Sequence, residues 1–96
     1  EDKTVKRMHD KIMLILSARY LANRLQKKIG KDTTIKEEVS SQELSAMLRE
    51  KQNMIRARLK ELKDKKQIIH VSRGIYKVAP YAINSLLVAL EGGKNG

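Results

Sequence analysis

Apolar side chains recur at Val5, Met8, Ile12, Ile15, Ala22, Leu25 and Ile29, spaced by three, four or seven positions. That spacing predicts one long amphipathic helix over 5–29. A second apolar stripe, Met13, Leu16 and Tyr20, widens the face around its middle. A helix of about 25 residues is roughly 37 Å long at 1.5 Å per residue, more than a domain this small needs for its own core. The surplus points to a second chain packed on it, and Met13, Leu16 and Tyr20 are the expected contact. Gly30 supplies a glycine stop just past the last apolar position.

The pattern then shortens. Ile35 to Val39 is β-branched at both ends and predicts a brief strand over 35–39. Ser40 and Ser41 offer N-caps, with Glu43 three residues after Ser40 at capping-box spacing, so a helix is expected over 41–49 with Leu44, Met47 and Leu48 inward. Arg49-Glu50-Lys51 breaks the pattern. A further helix over 52–65 buries Ile55, Leu59 and Leu62 at i, i+4 and i+7. Two β-branched runs follow, Ile68 to Val71 and Ile75 to Val78, around the turn signal Ser72-Arg73-Gly74, which predicts a β-hairpin over 68–78. Pro80 suits the first turn of a last helix over 81–91, with Ile83, Leu86, Leu87 and Leu90 apolar. The whole, 1–96, reads as one α+β domain, mostly helical.

Charge changes the picture more than any other bulk property. Lys and Arg total 21 against 11 Asp and Glu, a net charge of +10 on 96 residues. Such an excess attracts polyanions. It is concentrated between Arg49 and Lys66, where Arg49, Lys51, Arg56, Arg58, Lys60, Lys63, Lys65 and Lys66 outnumber Glu50, Glu61 and Asp64. The core must be aliphatic, since the only aromatic residues are three tyrosines. With no cysteine, disulfides, thiol catalysis and cysteine-ligated zinc are excluded. No apolar run reaches membrane-spanning length, and no signal peptide is visible. The first residue is not Met, which fits a piece of a longer protein.

Two helices joined by a short turn and followed by a hairpin have the order of a helix-turn-helix with a wing. The stretch from Glu38 to Val78 resembles the winged helix-turn-helix superfamily, which includes bacterial and archaeal regulators of the MarR and PadR kinds. Its "SSQELSAML" is similar to the first helix of the motif, "NMIRARLKELKDKKQI" to the recognition helix running into the first wing strand, and "RGIYKV" to the return strand. The resemblance covers about half of the chain. The sequence departs from the family in its short wing, with only Ser72-Arg73-Gly74 at the tip. The fold it implies is a winged helix-turn-helix with a long N-terminal helix, a short β-hairpin wing and a C-terminal helix.

On that resemblance the expected function is sequence-specific binding of double-stranded DNA by a homodimeric transcriptional regulator, nucleoid-associated in the cytoplasm. With Ile55, Leu59 and Leu62 buried, the opposite face of the recognition helix carries Asn53, Ala57 and Lys60, flanked by Arg56 and Lys63. Asn pairs with adenine edges and Arg with guanine edges in the major groove. Asn53 and Arg56 are therefore expected at base edges, Ala57 at a thymine methyl or as a point of close approach, and Lys60 at a phosphate. Ser41, Lys51, Gln52, Lys63 and Arg73 complete the expected DNA contacts. Met13, Leu16, Tyr20, Leu86, Leu87 and Leu90 make up the expected dimer interface.

Blander readings stand beside these. A basic helix face is usually only solvated, and Lys65 and Lys66 complement the helix dipole as well as they would a phosphate. His9 beside Asp10 reads as a surface pair, His70 as structural, and Tyr76 and Tyr81 as core and rim packing. No metal, cofactor or catalytic constellation is expected, and the chain reads as non-enzymatic. The alternative function is a winged-helix protein–protein module of a larger DNA replication, segregation or repair assembly. An apolar or mixed recognition-helix face would mark that alternative, and this face is basic.

Overall fold

The computed structural model describes residues 3–30 and 35–84. Their order is α1 (Lys3–Lys28), β1 (Val39–Ser40), α2 (Ser41–Leu48), α3 (Gln52–Asp64), β2 (Ile68–Ser72) and β3 (Ile75–Val78), followed by helical backbone over 80–84. The fold is α+β and mostly helical, with one antiparallel sheet in the order β1-β3-β2. Of the expected last helix, 81–91, only the start lies within the described residues; Leu86, Leu87 and Leu90 lie outside them.

One core holds the elements together. α1 contributes Met8, Ile12 and Leu16, α2 contributes Leu44, and α3 contributes Ile55, Leu59 and Leu62. Val39, Ile68 and Val78 close it from the sheet, and Ala79, Ala82 and Ile83 from the segment after β3. The α3 stripe lies where its i, i+4, i+7 spacing puts it. α1 departs from expectation. Leu16 is fully buried, so it belongs to this core and to no interface with a second chain. Met13 and Tyr20 are half-buried and pack against the same core, and the Arg24 guanidinium sits 4.9 Å from the Tyr20 ring centre. The apolar residues that α1 leaves in solvent are instead Leu14, Leu21, Leu25 and Ile29. Met47 of α2, expected inward, is also half exposed.

The strand expected over 35–39 is reduced to Val39–Ser40. The reason lies in α1. The Ile35 carbonyl accepts from Asn23 Nδ2 at 2.8 Å, and the Ile35 N–H donates to Gln26 Oε1 at 3.1 Å. Side chains of a neighbouring helix thus satisfy backbone groups that a ladder would otherwise use. α2 begins at the Ser40 cap, whose Oγ accepts from the Glu43 N–H at 3.0 Å. The Glu43 carboxylate does not close the expected box; it pairs with Arg19 of α1. α2 ends one residue earlier than expected, because Arg49 takes the left-handed conformation with φ 55°.

His9 corrects another expectation. It is buried, and its Nε2 lies 2.7 Å from Glu61 Oε1 on α3, so its partner is not the adjacent Asp10. Arg58 holds the same carboxylate, donating from a terminal nitrogen to Oε2 at 3.0 Å. Its Nε lies 3.0 Å from Oε1 but off hydrogen-bonding direction. Glu61 therefore ties α1 to α3 through His9, while Arg58, on α3 itself, holds its carboxylate.

The hairpin turns on Arg73-Gly74, with Ile68 opposite Val78, His70 opposite Tyr76 and a register irregularity between His70 and Ser72. Gly74 has φ 72°. A Cβ there would lie 3.6 Å from Ser41 Oγ, an ordinary contact, so the cost of Gly74→Ala is conformational. We expect a loss of about 1–2 kcal/mol, the penalty for an L residue in the left-handed region, read from urea unfolding. Unchanged stability would contradict this turn geometry.

Candidate nucleic-acid interface

Three elements converge on one basic surface. α3 follows α2 after the turn 49–51, and with Ile55, Leu59 and Leu62 inward and Gln52, Arg58 and Glu61 half-buried, the rest of its positions face solvent. Asn53, Met54, Arg56, Ala57, Lys60, Lys63 and Asp64 are exposed, as is Lys51 just before the helix. Asp64, at the C-terminal end, is the one carboxylate in that set. The basic surface survives because the local acids are spent elsewhere or lie apart from it: Glu61 faces Arg58 and His9. Arg58, counted in the sequence among the phosphate-tracking cations, is thereby withdrawn from the exposed face.

The individual side chains are held to different degrees. Gln52 Oε1 accepts from the Arg56 guanidinium at 3.2 Å, one turn apart, which steadies Arg56 without neutralising it. Asn53 is exposed and its Oδ1 accepts from the Met54 N–H at 2.9 Å; a bidentate contact to adenine requires that local bond to open. Lys60 and Lys63 have no ion-pair partner among the described residues. Ala57, exposed about one turn before Lys60, leaves a low spot at which another backbone or methyl group can approach.

The hairpin is fixed to the same surface. The Ser41 N–H donates to the Gly74 carbonyl at 2.8 Å, tying the turn to the first residue of α2. Ser41 is itself buried; it anchors the turn and lines the cleft between α3 and the hairpin. Arg73, beside Gly74, is exposed and has no partner among the described residues. His70 stacks at a tilt on Tyr76, ring centres 5.0 Å apart, and Tyr81 donates to the Lys66 carbonyl. Both tyrosines thus serve packing, as their positions suggest.

Residues that sequence reasoning left out are Met54, exposed on the α3 face, and Gln42 and His70, which line the cleft between α3 and the hairpin. Neither Gln42 nor His70 has a sequence signal, since the cleft is made by tertiary packing. Met54 was readable as the residue that breaks the polar face.

A second surface lies across α1. Leu14, Ile15, Ala18 and Ala22 face Ile35 and Met47 over a groove of about 730 Å³, one end crossed by the Arg19–Glu43 pair. Among the described residues, no helix is long and apolar enough to cross a membrane, and no group of three or more His, Asp or Glu is placed to hold a metal ion. No protein-family model, curated protein or solved structure matches the chain.

Proposed function

We propose that the chain is a winged helix-turn-helix module that binds double-stranded DNA as a homodimer, with α3 in the major groove and the β2–β3 hairpin as its wing, in the manner of a transcriptional regulator. The observation that carries this reading is the exposed α3 face, on which Arg56, Lys60 and Lys63 lie to one side of Ala57 and only the terminal Asp64 is acidic among the exposed residues. Each phosphate neutralised releases counterions, so such a face binds duplex DNA with steep salt dependence. Asn53, near the helix N-terminus, is placed to read a base edge. Lys51, Lys60 and Lys63 are placed for phosphates. Electrophoretic mobility shift on a random duplex, followed by selection from a randomised pool, tests it; a protein that binds neither supports only the adaptor reading.

The dimer in this proposal uses the exposed α1 stripe. Leu14, Ala18, Leu21 and Leu25 are spaced four, three and four apart, the seam spacing of a helix that packs on another helix. Buried positions on α1 end at Asn23, so Leu25 and Ile29 extend past the core. A second copy of α1 offers the matching seam, and twofold pairing places two α3 helices on one face of a duplex. Leu21→Glu should convert the dimer to a monomer in sedimentation at tens of micromolar while leaving the circular dichroism unchanged. A wild-type protein that is monomeric at that concentration would remove the dimer from the account.

A further inference from the structure

The cleft between α3 and the hairpin has the composition of an anion site. It has two adjoining lobes of about 300 and 290 Å³, and Ser41, Arg56, Arg73 and Gly74 line both. No carboxylate lines either lobe. Gln42 lines one and His70 the other. Two arginines, one on α3 and one at the hairpin turn, 17 positions apart in sequence, therefore line one small hollow.

Three features hold the arrangement in place before any ligand arrives. The bond from Ser41 N–H to the Gly74 carbonyl fixes the turn that carries Arg73. Gln52 steadies Arg56. The Glu43 N–H is taken by Ser40 and the Ser41 N–H by Gly74, whereas the Gln42 N–H between them takes no acceptor among the described residues. The start of α2 adds the partial positive charge of a helix N-terminus to the same hollow. Like charges brought together with no counter-charge cost free energy unless an anion shares them, and the planar fork of arginine suits the oxygens of a phosphate.

We infer that this cleft binds a single phosphate group, held between Arg56 and Arg73 and received by the Gln42 N–H. Resting on the DNA reading above, the phosphate is a backbone phosphodiester of the duplex. Arg56 is then a phosphate ligand and not the base-reading residue that the sequence suggests, which leaves base contact on α3 to Asn53 and Ala57. The other source of the same chemistry is a free phosphate or a small phosphate ester.

Two arms separate the sources. In the first, inorganic phosphate is titrated into the ¹⁵N-labelled protein against chloride at equal ionic strength. The amides of Gln42, Arg56 and Gly74 should shift saturably with phosphate only, and the shifts should vanish in Arg56→Ala and Arg73→Ala. In the second, salt series on a random duplex compare wild type with the folded double variant Arg56→Ala/Arg73→Ala. Because both arginines share one phosphate, the salt slope should fall by about one unit per protomer. A fall of about two units per protomer means two separate phosphates and overturns the shared site, as does an altered base preference of Arg56→Ala in pool selection. Phosphate shifts with no duplex binding would sustain the cleft and defeat the DNA reading. Duplex binding with no phosphate-specific shifts would do the reverse.

Discussion

Leu59→Ala is expected to cost about 2–5 kcal/mol, the range for truncating a buried leucine. Leu59 is fully buried, midway along α3 and one turn from Ile55, and it lies in the cluster that α1 and the sheet close over. The side chain has no route to solvent and sits in a core built from all the main elements, so collapse around the void is limited and the upper half of the range applies. Domains of this size hold about 5–15 kcal/mol in all, so the variant should melt well below wild type. DNA binding should fail with it, through loss of fold rather than loss of a contact. Urea unfolding measures the difference; a variant within about 0.5 kcal/mol of wild type, inside the range of surface substitutions, would contradict the placement of α3.

Lys60→Glu should have the largest effect on binding without touching the fold. Lys60 is exposed, and nothing in the core depends on it. The change removes one cation and sets a carboxylate against a phosphate in each protomer of a dimer. Affinity for any duplex should fall by about 100-fold or more at moderate salt, against a smaller loss for Lys60→Ala, whose salt slope drops by about one unit per protomer. Specific and non-specific sites should suffer alike, because a phosphate carries no sequence information. Fluorescence anisotropy on matched and random duplexes checks this. A loss confined to one sequence would assign Lys60 to a base edge instead.

The two variants differ in how far each rests on sequence. The α3 stripe was legible because charged residues separate Ile55, Leu59 and Leu62, leaving one helical phase that buries only apolar groups. The phase of α1 was not legible. Ile12, Met13, Leu14, Ile15 and Leu16 form an unbroken apolar run, so periodicity permits more than one inward face, and the core takes Ile12 and Leu16 while Leu14 is left outside. Ser40 was recognisable as a cap from local spacing alone. His9 with Glu61 was not, since the partners are 52 positions apart and only the packing of α1 on α3 joins them. The same holds for the candidate site. The basic face of α3 follows from the helical phase, whereas the burial of Ser41 and the meeting of Arg56 with Arg73 follow from the bond between Ser41 and Gly74. The β-branched run at Ile35 misled in a further way, because strand propensity says nothing about an Asn23 or Gln26 side chain that claims the backbone first.

The proposed function has the α3 face and the hairpin turn bind the phosphates of duplex DNA. In the proposed dimer, Lys51, Lys60, Lys63 and the inferred Arg56–Arg73 cleft would engage about four phosphates per protomer, for a salt slope of about −7 at roughly 0.9 units per phosphate. The direct test is the dissociation constant of the wild-type protein on a random duplex, measured by anisotropy between 50 and 200 mM salt. Binding is expected to weaken by about ten-thousand-fold over that range. A slope shallower than about −1, or no binding at the lowest salt, would contradict it.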